Sequence, residues 1–333
     1  MRSQLRIYAF VAGLFSCTSP AYTISTSNAA KLTLKESCPV LPEKTNGENF
    51  AFKLQHLKQP LLANRFANIW YDPAKNISGQ RTIVFYWHGT DGVTEEIDQA
   101  FGQTGVKQLV DRGYVVVSPD HIRDAKGNGI LKYSWYIANG SRLNYDVVFG
   151  DLIVQCLNAK FGTDFKIITT GCSAGAMQSA LWAFQNKDIV GMILYSGGIF
   201  RVPKFVPRDA FWAVITHGGV KDARGDFNFM STAIYLHKMV VKLGYPSALC
   251  DFTPLGHDIH TEIANILPGI VFDQEKVILP VQCKGSIKLA LPGRQRNSRK
   301  SDLELKAPRQ VVRLLLGAVT QSVSLPVLGF FEC

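Results

Sequence analysis

Between about residues 51 and 278 the chain alternates short, dense apolar runs with longer segments whose apolar positions return every three or four residues. The short runs fall at 50–54, 67–71, 82–87 (TIVFYW), 114–118 (YVVVS), 166–170 (KIITT), 190–195 (VGMILY), 212–216 (WAVIT) and 247–252 (SALCDF). The first two read as an opening antiparallel pair. Most of the others are continuous rather than alternating, as strands covered on both faces are. The spacers predict helices over 95–111, 147–160, 175–185 and 228–243. This alternation predicts an α/β domain with a mostly parallel, doubly wound sheet and an antiparallel start. No internal repeat interrupts it.

The ends of the chain follow a different pattern. Arg2 and Arg6 precede an apolar stretch, IYAFVAGLF, and then the small residues SCTSPA, which is the order of an export signal over residues 1–21. Leu14-Phe15-Ser16-Cys17 also fits a lipoprotein signal that would place a lipid on Cys17, and cleavage near Ala21 is the alternative. The catalytic domain is expected over 38–280. Residues 281–333 are expected to be a basic linker and an apolar tail, because the strand rhythm stops after Pro280. Any membrane contact is expected only through a lipid on Cys17 or through this tail.

Charge sharpens that division. The formal charge is +10, with 36 Lys+Arg against 26 Asp+Glu in 333 residues. Residues 284–333 hold nine basic and three acidic residues, and Arg2 and Arg6 add two more basic ones. The rest carries 25 basic against 23 acidic, so the body is nearly neutral. Basic residues interleaved with aromatics on one surface, the footprint of a nucleic-acid binder, are missing from the sequence. In an oxidising compartment Cys38, Cys156, Cys250 and Cys283 are candidates for disulfides, in a pairing the sequence does not fix. Cys172 reads as a small buried hydrophobe. No CxxC or HxxxH-type spacing marks a metal site, and neither metal nor cofactor is expected.

The chemistry centres on KIITTGCSAG at 166–175, a strand that runs into G-x-S-x-G and then a helix. Gly171 and Gly175 flank a turn too tight for side chains, so Ser173 is held strained with its hydroxyl exposed above the sheet. The helix N-terminus behind it favours developing negative charge. A serine nucleophile needs a base and an orienting carboxylate, in the chain order Ser, acid, His. Asp222 follows the strand WAVITH in the right place for the acid, with Asp226 second. His257 follows Gly256 after the strand SALCDF as the base, with His260 as competitor. The turn His88-Gly89-Thr90-Asp91-Gly92 ends an early strand and offers backbone N–H groups. The N–H of Thr90 with that of Ala174 is the expected oxyanion hole. His88 is read as structural and His217 as packed at its strand end. The segment 120–144, with Trp135, Tyr136 and Tyr145 near it, is expected to border the acyl pocket.

Taken together, WHGT, GCSAGAMQSALW, MILYSGG, ITHGGVKD and LCDFTPLGH resemble the secreted polyhydroxybutyrate depolymerase and feruloyl esterase branch of the α/β-hydrolase fold. The resemblance covers roughly residues 38–265. It implies an exported, cofactor-free carboxylic ester hydrolase that acts on ester substrates, among them polymers. The acid loop reads HGGVKD rather than HGT-x-D, and no Trp-Pro follows the base histidine. Two rivals are a serine peptidase of the same fold and a catalytically silent binding protein.

Overall fold

The computed structural model describes residues 38–54, 64–75, 82–102, 104–123, 129, 131, 133–137, 144–200, 208, 210–225, 227–259, 279 and 282–286. The strands are β1 (Thr45–Lys53), β2 (Asn64–Tyr71), β3 (Thr82–Trp87), β4 (Val115–Pro119), β5 (Lys166–Cys172), β6 (Ile189–Tyr195), β7 (Trp212–His217), β8 (Ala223–Arg224), β9 (Phe227–Asn228), β10 (Ser247–Asp251) and β11 (Cys283–Ser286). Nine of them form one sheet in the order β1-β2-β4-β3-β5-β6-β7-β10-β11, and β8 pairs with β9 in a separate two-residue hairpin. β1 and β2 are antiparallel, β2 is antiparallel to β4, and the run from β4 through β10 is parallel. The mostly parallel sheet with an antiparallel start is as the apolar pattern predicts.

Among the described residues the helices are α1 (Ile97–Phe101), α2 (Gly105–Asp111), α3 (Tyr145–Phe161), α4 (Ala174–Gln185) and α5 (Phe229–Lys242). Where one helix is expected over 95–111, the structure has a 3-10 turn at Thr94–Glu96 and two short helices. Gly102 ends α1 at φ 75°, where the right-handed helix cannot continue. α3 starts cleanly because the Asn144 side chain accepts from the Asp146 and Val147 N–H groups. It stops at Gly162, in the left-handed conformation.

Two cores cover the two faces of the sheet, and successive residues of one strand serve them in turn. Ile83, Phe85 and Trp87 of β3 join one core with Leu152 and Ile153 of α3, Ala180 and Trp182 of α4, and Leu236 of α5. Val84 and Tyr86 join the other with Ile97 and Phe101 of α1 and Leu109 of α2. This double burial is why β3 has no polar alternation to read. On the first face Arg65 and Asp146 form an ion pair at 2.8 Å, with the side chains 1% and 0% exposed.

The four expected cysteines form two disulfides, Cys38–Cys156 and Cys250–Cys283. Cys172 is fully buried, and it too is disulfide-bonded, so it is more than the packing residue the sequence suggests. β11 pairs antiparallel with β10 beyond residue 280. The sheet therefore extends past the boundary expected at 280, because the Cys250–Cys283 bond fastens this strand to the edge. Residues 1–37, including Cys17, and 287–333 lie outside the described residues, as do Asp226 and His260. No helix among the described residues is long and apolar enough to cross a membrane.

Candidate active site

β5 delivers the chain into α4 through one residue, Ser173, at φ 54° and ψ −118°. A non-glycine residue holds such a backbone only at a cost of about 1–3 kcal/mol, which the surrounding structure must supply. The two flanking glycines show how tightly it does so. A Cβ on Gly175 would sit 1.9 Å from the Trp87 carbonyl oxygen, and one on Gly171 would sit 2.5 Å from the same atom. The turn is thus wedged against the end of β3, where the 88–92 segment begins.

His257 joins the other two expected residues. Its Nε2 lies 2.9 Å from Ser173 Oγ, and its Nδ1 lies 2.7 Å from Asp222 Oδ1. With Nδ1–H donating to the carboxylate, Nε2 presents its lone pair to the hydroxyl, which is the tautomer a base requires. Asp222 is fully buried, and its second oxygen accepts the Gly218 N–H at 3.0 Å. Phe229 stacks on the face of the imidazole, with ring centroids 4.3 Å apart.

The 88–92 turn has four N–H groups after His88, and three are occupied. The Gly89 N–H donates to Glu96 Oε1 at 2.8 Å, the Asp91 N–H to Ser134 Oγ at 2.9 Å, and the Gly92 N–H to the Gly89 carbonyl at 3.1 Å. Among the described residues, the Thr90 N–H has no acceptor. The Ala174 N–H, first in α4, has none either, as the helix N-terminus dictates. These are the two donors expected of an oxyanion hole.

No family model matches the chain, and no curated protein matches it. Solved structures do. The native structure of pOPH aligns at 13% identity over 77% of this chain and 98% of its own, with a TM-score of 0.54. The native structure of sOPH aligns at 14% identity over 74% and 97%, with a TM-score of 0.54. A pOPH variant in complex with DMSO aligns at 14% identity over 77% and 97%, with a TM-score of 0.56. The chain has the α/β-hydrolase fold.

Within this fold, several supports of the site were not visible in the sequence. Glu96 is buried, and its Oε1 accepts both the Gly89 N–H and the Tyr86 hydroxyl, so a carboxylate underpins the 88–92 turn. The Ser196 hydroxyl lies 2.9 Å from the Asp258 carbonyl oxygen, to which it donates, and accepts the Asp258 N–H at 3.2 Å. It therefore clamps the loop next to His257. Ser196 is a polar position between MILY and GGIF, a signal that could have flagged it, whereas Glu96 stands among Glu95, Asp98 and Gln99, where nothing marks it. Phe227 packs against Tyr133, Phe200 and Phe229, extending an aromatic surface away from His257.

Some expectations are corrected. Trp135 turns into the core: it is 2% exposed, packs on Trp87, and donates its indole N–H to the His88 carbonyl at 2.8 Å, while residues 124–128, 130, 132 and 138–143 of the expected pocket border lie outside the described residues. Its ring fills the space under the turn instead. Tyr136 and Tyr145 are half-buried and pair edge to face with each other. His88 is fully buried, and His217 is buried at the end of β7 beside Asp251, where burial lowers its pKa. The described side chains with the geometry to hold a metal ion are His88, Asp120 and His121.

Proposed function

We propose that this α/β-hydrolase is an exported serine esterase. The single observation that carries this reading is the imidazole of His257, bonded at once to Ser173 Oγ and to Asp222. Ser173 Oγ attacks the ester carbonyl carbon while His257 Nε2 takes its proton. The charge on the carbonyl oxygen falls to the Thr90 and Ala174 N–H groups at the positive end of α4. Collapse of the tetrahedral adduct breaks the bond to the alcohol oxygen, which leaves with the proton held by His257. Water then attacks the acyl-serine, giving up its proton to His257, and the acid and free Ser173 are restored. Asp222 holds the ring in the productive tautomer and stabilises the imidazolium.

The aromatic surface of Phe229, Phe227, Phe200 and Tyr133 supports esters with an apolar or aromatic part. Polyester and feruloyl esters belong to that class; acetyl esters of polysaccharide and small acyl esters are the other candidates. Export is supported by the N-terminal signal pattern and by the disulfides Cys38–Cys156 and Cys250–Cys283, which persist in an oxidising compartment.

A panel of nitrophenyl, feruloyl, acetyl-xylan and hydroxybutyrate esters tests the reading. Turnover of at least one is expected, with His257→Ala far more damaging than His260→Ala. A protein that hydrolyses none, or one in which His260→Ala is dead and His257→Ala active, contradicts it.

A further inference from the structure

We propose that His88, His121 and Asp120 form a binding site for a divalent transition-metal ion of the zinc type, beside the 88–92 turn. His88 comes from the end of β3, and Asp120 and His121 come from the end of the neighbouring β4, so strand pairing brings together residues more than thirty positions apart. His88 Nε2 lies 3.1 Å from His121 Nδ1 and 3.7 Å from Asp120 Oδ1, and His121 Nδ1 lies 3.3 Å from Asp120 Oδ1. The centre of that triangle is about 2 Å from each corner, which is the length of a zinc–imidazole or zinc–carboxylate bond.

The surroundings are those of ligands held for a metal. His88 Nδ1 lies 2.7 Å from the Gly89 carbonyl oxygen, so it carries the proton and leaves Nε2 with a lone pair facing the triangle. Asp120 is fixed by Arg123, Nε to Oδ2 at 3.0 Å and Nη2 to Oδ1 at 3.1 Å, and by the His121 N–H to Oδ1 at 2.9 Å. Ligating carboxylates are commonly braced in this way. Arg123 also offsets the aspartate charge, which favours an imidazole-rich site with moderate affinity over a tight one.

Both histidine rings are almost wholly buried, and Asp120 is 18% exposed, which gives an ion one route in. Two nitrogens and one oxygen are a borderline donor set, suited to Zn²⁺ and Co²⁺ rather than Ca²⁺ or Mg²⁺. A water molecule completes a four-coordinate shell. The ion would have a positioning role, since His88 directly precedes Gly89 and its carbonyl accepts the Trp135 indole. The inference does not rest on the esterase reading.

The test is titration of the full chain, stripped with chelator and dialysed, with Co²⁺ followed by its visible absorption. The expected result is one ion per chain with a nitrogen–oxygen d–d spectrum, displaced by Zn²⁺. His121→Gln and Asp120→Asn should each weaken binding by about tenfold or more, whereas His237→Gln leaves it unchanged. Three results overturn the site: no saturable binding by the wild type, a near-ultraviolet thiolate band that places the ion on cysteine, or binding that His121→Gln leaves intact. The wild-type titration decides even if a variant misfolds.

Discussion

Gly218 and Gly256 lie back to back. The Gly256 N–H donates to the Gly218 carbonyl at 3.1 Å, and a Cβ on Gly218 would come within 1.7 Å of the Gly256 carbonyl oxygen. One precedes Asp222 by four residues and the other immediately precedes His257. The Asp222 loop and the His257 loop are therefore set against each other by backbone alone. Gly218→Ala should push them apart and lengthen the Asp222–His257 bond. Misplacement of this kind costs about 10²-fold in kcat/KM. Steady-state kinetics alongside thermal melting measure it, and wild-type kinetics in a folded Gly218→Ala protein would contradict the account.

Glu96 positions the turn that carries Thr90. Glu96→Ala frees the Gly89 N–H and the Tyr86 hydroxyl together, so kcat should fall by about 10²-fold with KM nearly constant, the scale of a disturbed oxyanion donor. Glu96→Gln keeps an acceptor oxygen and should recover most of the loss. Equal loss in both variants, or a change confined to KM, would assign Glu96 a purely structural part.

The Arg65–Asp146 pair lies inside the first core, far from water. Removing one partner strands a buried charge, so Arg65→Ala should destabilise the fold by about 3–5 kcal/mol in urea denaturation. Replacing both partners with apolar residues of similar volume should restore much of it. A single variant as stable as the wild type would mean that the pair carries no such penalty.

Acid should weaken the fold in a particular window. Burial holds His217 below the ordinary value of 6.5, against the opposing pull of Asp251 and Asp222. Burial and nearby Lys238 do the same to His237. Below about pH 6.5 the unfolded chain binds protons that these folded histidines refuse, so their contribution is complete above that pH and is lost as the pH falls. Calorimetry at pH 8 and pH 5.5 should show the lower Tm at pH 5.5. A flat or rising Tm would contradict the assignment.

Strand positions were legible because burial on both faces writes continuous apolar runs, as TIVFYW and YVVVS do. The Ser173 turn was legible because its glycines are required by backbone contacts with Trp87. The break at Gly102 was hidden, since the helical period carries on across it. β11 was hidden because CKGS has no apolar pattern and is held by its edge pairing and by Cys283. The placement of Trp135 was misread because an aromatic in a loop gives no sign of which way it turns. The cluster of His88, Asp120 and His121 has no short spacing, so only the pairing of β3 with β4 reveals it. Glu96 and Ser196 act through long-range hydrogen bonds that leave no periodic trace.

The central claim is that Ser173 is a nucleophile activated by His257. Its most direct measurement is the rate and site of covalent labelling by a fluorophosphonate probe, read by peptide mass spectrometry. The account predicts one label per chain, on Ser173, absent in Ser173→Ala and slowed by about 10³-fold or more in His257→Ala. Labelling at another residue, or labelling of Ser173 at an unchanged rate in His257→Ala, would contradict it.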